Sequence, residues 1–271
     1  MPVINTNVNA MFAQGALKVN GRNLSQAMQQ LSTGSRINSA SDDAAGLAIG
    51  QTMTAQIRGL TQAVRNANDA ISMLQTAEGS MNEQSNMLQR MRELAVQAST
   101  GTYSSEQTGY LNTEFEALAT QIDNISTQTT WNGSNILDGT ASAVTIQIGA
   151  TASTTLSVAV ENTSASALDV SGVTISSISD ASDAITTINT ALETLNSARA
   201  SIGASVNQLT YAADNLTNVI QNYSNSRSQV MDTDYATTTT QLARSQIIQQ
   251  AATAMLAQAN QAPQSVLALL K

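Results

Sequence analysis

Residues 185–230 read ITTINTALETLNSARASIGASVNQLTYAADNLTNVIQNYSNSRSQV, and their apolar members recur every seventh position. One seam position carries Ile185, Leu192, Val206, Ala213 and Ile220. The other carries Ile188, Leu195, Ile202, Leu209, Leu216, Tyr223 and Val230. Arg199 and Arg227 interrupt the seam, and each can snorkel outward on its aliphatic stem. A repeat of 3.5 residues held over about six heptads describes a coiled-coil stripe, not the broad face of a short globular helix. Such a helix would run about 70 Å at about 1.5 Å per residue. The stripe is expected to pack within its own chain, on helices expected at 44–99 and 105–127.

The composition suits helices that meet along narrow seams. Among 271 residues there is no Cys and no His, and aromatic residues make up 3%. A rounded domain of this length would bury more aromatic surface. Without His or Cys the commonest general base, most metal sites and thiol chemistry are absent together, so neither catalysis nor a cofactor is expected. A formal net charge of -8 argues against a nucleic-acid partner, whose binders carry basic stripes. The opening Met1-Pro-Val-Ile-Asn-Thr-Asn7 has neither the basic nor the apolar region of a secretory signal. The longest apolar runs, such as Val266–Leu270, fall far short of the ~20 residues that span a bilayer, so no membrane insertion is expected.

The prolines are Pro2 and Pro263, which leaves the whole interval open to long helices. Leu17, Leu24 and Leu31 keep sevenfold spacing near the start, with Met28 at an intervening position. Ser41-Asp42-Asp43 offers a hydroxyl cap and an acidic first turn for the next helix. Ile57, Leu60, Val64, Ala67, Ile71, Leu74 and Met81 carry that helix towards Ser99. Leu111, Phe115, Leu118, Ile122 and Ile125 mark a third helix that stops before Trp131-Asn-Gly-Ser134. The period then changes to two. Val144, Ile146 and Ile148, then Leu156, Val158 and Val160, predict a hairpin, with a further strand around Val173 and Ile175. Asp180 to Asp183 reads as the next helix start. After Val230, residues 231–240 interrupt the stripe. It resumes at Ile248, Ala252, Met255, Ala259, Ala262, Val266 and Leu269, with a kink expected at Pro263.

The predicted fold class is therefore mainly α: a long antiparallel helical or coiled-coil rod with a small β-hairpin region in the middle of the chain. The expected divisions are an N-terminal arm (1–40), the first half of the rod (41–140), the hairpin region (141–180), the second half of the rod (181–230) and a C-terminal arm (231–271). Both arms have thin stripes, so they are expected to be frayed alone and ordered by neighbours.

Five blocks carry a family resemblance: Ile4-Asn-Thr-Asn7, the run from Leu31 through Ile49 (LSTGSRINSASDDAAGLAI), Leu88-Gln-Arg-Met-Arg-Glu-Leu-Ala-Val-Gln97, Trp131-Asn-Gly-Ser134, and Ala243 through Asn260 (ARSQIIQQAATAMLAQAN). They resemble the ends of bacterial flagellins, in order and across roughly 1–140 and 180–271. The resemblance implies a short, core-only filament subunit that lacks a large central insert. It implies a homopolymer in which the paired arms form the inner tube, secreted unfolded through the flagellar export apparatus with an export chaperone. Junction and cap proteins are then further partners. Leu17, Leu24, Leu31, Met255, Val266, Leu267, Leu269 and Leu270 are the expected assembly residues. The resemblance also places Gln89, Arg90, Leu94 and Glu114 on the surface recognised by Toll-like receptor 5. A hook-filament junction protein, or another exported helical component of the flagellum, is the alternative.

Overall fold

The computed structural model describes residues 6–141 and 143–268, and the side chains up to residue 261 of that range. Among the described residues there are five helices, α1 Val8–Thr33, α2 Ala44–Ala98, α3 Ser105–Gln128, α4 Ile178–Met231 and α5 Tyr235–Ala268. Four short strands lie between α3 and α4: β1 Thr130–Trp131, β2 Ser134–Asn135, β3 Ala143–Gln147 and β4 Thr155–Ala159. The fold is mainly α, as the periodicity requires.

Short polar side chains set most of the helix boundaries. Asn7 Oδ1 accepts the Ala10 N–H at 3.0 Å to start α1, and Gly34 ends that helix at φ 72, where a Cβ would be strained. Asp43, not Ser41, caps α2, accepting the Gly46 N–H at 2.8 Å. Ser41 instead shares a hydroxyl hydrogen bond with Ser39. Ser104 and Gln107 form a reciprocal capping box at α3. α4 begins at Ile178, ahead of the acidic residues, because Ser177 Oγ accepts the Asp180 N–H at 3.1 Å. α5 continues as helix through Pro263 to Ala268.

The chain divides into two compact units, Met1–Ala55 with Asn222–Lys271, and Gln56–Gln221. In the second unit one apolar core joins Leu74, Met81, Leu88, Met91 and Leu94 of α2, Phe115 and Ile122 of α3, and Ile188, Leu195, Ile202 and Leu209 of α4. The heptad stripe is thus buried within its own chain, but its deeper positions differ from those expected. Ala184, Ala191 and Ala198 are buried with Ile188, Leu195 and Ile202, while Ile185, Leu192 and Val206 lie at the half-buried edge.

The β region packs on the same core. β3 and β4 pair antiparallel with Val144 opposite Val158 and Ile146 opposite Leu156, the register the alternation demands. β1 and β2 form a second, very tight hairpin that the heptad and alternation patterns do not announce. Its turn is Asn132-Gly133 at φ 49 and 81, the pair of positive angles that an Asn-Gly hairpin turn adopts. No strand forms at Val173 and Ile175. That segment is tied down by side chains instead: the Ile175 N–H donates to Asn112 Oδ1 at 2.8 Å, and Val170 and Ile175 plug the core.

Candidate functional site

Within the first unit α1 and α5 run antiparallel, and Cα atoms come within 8 Å of each other across the pair. That close approach follows from what fills the seam. On α1 it holds Asn20 and Ala27, buried, with Ala13, Leu17, Leu24 and Leu31 half-buried beside them. On α5 it holds Thr238 and Ser245, buried, with Leu242, Ala252, Leu256 and Ala259 half-buried. Asn20, 7% exposed, donates from Nδ2 to the carbonyl of Ser245, 1% exposed, at 2.7 Å. The interior of the arm pair is small and partly polar.

Apart from the seam leucines, many large apolar side chains of the pair point the other way. Phe12 is 80% exposed and Met255 64%, and Val8, Met11, Val19, Met28, Ile247 and Ile248 are also exposed. Met28 is therefore outside the seam, where the spacing had put it inside; Asn20 and Ala27 take the intervening positions. Leu17, Leu24 and Leu31 line the seam, half-buried, and Met255 faces outward. The side chains of Val266 and Leu267, and residues Leu269 and Leu270, lie outside the described residues. Asn20, Ser245 and Thr238 carried no apolar signal. Sevenfold spacing, Ala13–Asn20–Ala27 on one arm and Thr238–Ser245–Ala252–Ala259 on the other, was their trace in the sequence.

A backbone clasp joins the connections beyond the two helices. Ser35 and Asp232 form an antiparallel bridge. The Arg36 N–H donates to the Met231 carbonyl at 2.7 Å, the Thr233 N–H to the Gly34 carbonyl at 3.0 Å, and Arg36 Nη2 to the Val230 carbonyl at 2.8 Å. Tyr235 Oη donates to the Leu31 carbonyl at 3.3 Å. Two carboxylates brace the turns. Asp42 accepts the Asn38 and Ser39 N–H groups, which hold its carboxyl below the usual value. Asp234 is lowered likewise by the Thr237 hydroxyl and the Ala236 N–H.

In the second unit, Arg90 of α2 reaches Glu114 of α3. Arg90 Nε and Nη2 both lie 3.0 Å from Glu114 Oε1, and Nη1 lies 3.0 Å from Glu93 Oε2. Bonds first to Glu93 and then to Glu114 hold the guanidinium further above its usual pKa. Arg90 and Glu114 are about half-exposed, Glu93 more so, and Gln89 is exposed next to them. Leu94 is not part of that surface. At 1% exposure it belongs to the core beneath, because the helix turns it inward with Met91 and Leu88. Among the described residues no group of three metal-ligating side chains stands together, and no helix is long and apolar enough to cross a membrane.

Residues 4–142 match the bacterial flagellin N-terminal helical region, and residues 185–270 the bacterial flagellin C-terminal helical region. A flagellin of Halalkalibacterium halodurans is 41% identical over 99% of this chain and 100% of its own length. The flagellar filament 33 kDa core protein of Treponema phagedenis is 38% identical over 99% of this chain and 100% of its own. The crystal structure of Bacillus cereus flagellin superposes with a TM-score of 0.52 at 32% identity, covering 56% of this chain and 88% of that one. With both family models matched in order, and a flagellin 41% identical along its whole length, the protein belongs to the bacterial flagellin family.

Proposed function

We propose that the outward faces of the α1–α5 pair are the surfaces through which copies of this chain pack on one another. As a flagellin, the chain is a structural subunit of the extracellular helical filament that drives swimming. The observation that supports the reading is the row of exposed large apolar side chains on the arm pair, outside a thin seam whose buried positions are Asn20, Ala27, Thr238 and Ser245. Phe12, Val19 and Ile247 would each contribute roughly 1.5–3 kcal/mol when taken out of water, before ordering costs. The thin seam is a weak hold by comparison, and isolated helices are marginal in water. The arms, residues 1–40 and 231–271, thus fray in the free subunit and order on assembly, while the rod stays folded in both. The role is structural and not catalytic. Frayed arms also suit passage through the export apparatus with a chaperone, and junction and cap proteins would meet the same faces at the filament ends.

Seeded polymerisation tests this reading. Phe12→Ser, and separately a chain lacking residues 266–270, should stay folded over residues 56–221 yet fail to extend seeds. Normal filaments from either would overturn it. Failure of the unaltered chain to extend seeds would favour the junction-protein alternative. A second reading concerns the exposed patch of Gln89, Arg90 and Glu114, with Leu94 supporting it from below: in the free subunit it would be open to Toll-like receptor 5.

A further inference from the structure

α5 runs through Pro263 without leaving the helix. Proline has no N–H, so the carbonyl four residues earlier, that of Ala259, loses its helical donor. That same carbonyl accepts a hydrogen bond from Asn7 Nδ2, on the opposite arm, at 2.8 Å. The other half of the Asn7 side chain is also in use, since Oδ1 caps α1 through the Ala10 N–H. One side chain thus closes the start of α1 and the gap that proline opens in α5.

We infer that Asn7 and Pro263 form a register key for the arm pair, with Pro263 exposing one carbonyl on α5 and Asn7 reading it. The inference rests on the arm pair being the assembly surface, because register decides which outward side chains lie next to one another. Ordinary helical carbonyls already hold one bond within the helix, so a second donor gains less there and finds the same acceptor at every turn. The Ala259 carbonyl, left without its helical donor, stands apart from them. The rest of the pair is consistent with one register. Arg36 with Met231, Leu31 with Tyr235, Asn20 with Ser245 and Asn7 with Ala259 advance by near-equal steps along the two helices. The clasp fixes one end and the proline key the other. Between them, Asn20 rejects slips that would bring Leu242 or Gln249 opposite it, since a bulky side chain would hold its amide away from any carbonyl.

The chain has no Cys, so introduced pairs report register cleanly. Ala13→Cys with Ala252→Cys reads the native register. Ala13→Cys with Gln249→Cys, or with Leu256→Cys, reads slipped ones. Each pair is oxidised in the full-length subunit, and the ratio of native to slipped cross-link is measured. Asn7→Leu should lower that ratio about tenfold, the scale of one hydrogen bond with its stranded partner. Pro263→Ala should lower it similarly although it improves the helix, because the restored N–H satisfies Ala259 internally. Adding Asn7→Leu to Pro263→Ala should then change nothing further. An unchanged ratio in both single variants overturns the key, as does an undiminished effect of Asn7→Leu in the Pro263→Ala background. Seeded polymerisation of the same proteins keeps the two ideas apart. Subunits that keep native register but cannot extend seeds count against the assembly reading alone.

Discussion

Arg90 sits at the meeting point of two carboxylates, yet it is half-exposed and its helix buries a different face. Removing it should therefore disturb recognition more than folding. Arg90→Ala is expected to shift stability by about 0.5 kcal/mol or less, as surface substitutions do. A charge lost at the centre of a protein interface costs about 2 kcal/mol or more. A receptor reporter assay on the free subunit, run beside thermal melts, separates the two. Equal signalling by Arg90→Ala and the unaltered chain would remove the receptor reading. Asp42 gives a pH test at the same scale. Its carboxyl is lowered by the N–H groups of Asn38 and Ser39, so it titrates lower folded than unfolded. The stabilisation is therefore fully present above the ordinary Asp value of about 3.9. It is lost as pH falls through the depressed value. Exchange of the Asn38 and Ser39 amides should quicken over that window, and Asp42→Asn should flatten the dependence.

Helix α4 shows how much of the element scale was legible. Leu195 and Ile202 could be read because large apolar residues at every seventh position mark a buried seam, and both are fully buried. Ala191 and Ala198 could not, since alanine suits exposed helix as well as tight packing. Leu195→Ala should cost about 2–5 kcal/mol in urea unfolding, whereas Leu192→Ala, at the half-buried edge, should cost clearly less. Equal losses would mean that the seam lies where the large residues alone would put it. The arms were less legible for the same physical reason. Leu17, Leu24 and Leu31 were readable in their seam. Its most buried positions, however, are Asn20, Ala27, Thr238 and Ser245, which carry no strong hydrophobic signature, while Phe12, Met255 and Ile247 mark the outside. The Asn132-Gly133 hairpin was readable in principle, as that dipeptide favours the positive φ values its turn adopts. The pairing of Arg90 with Glu114 was not readable from spacing. It depends on how α2 and α3 pack, and only the family resemblance brought those residues together.

At the scale of the whole molecule, the two units differ in what holds them. Residues 56–221 close on a continuous core of Leu, Ile, Met and Phe, while the arm pair closes on a thin seam and leaves Phe12, Met255 and Ile247 exposed. On the proposed reading the assembly surface lies on the part of the chain that is least stable alone, and local stability should follow that division. Amide hydrogen exchange, compared between free subunit and filament, tests this most directly. Slow exchange is expected for the core of 56–221 in both states. For α1 and α5 fast exchange is expected in the subunit and strong protection in the filament. Arms as protected in the free subunit as in the filament, or still unprotected after assembly, would contradict it.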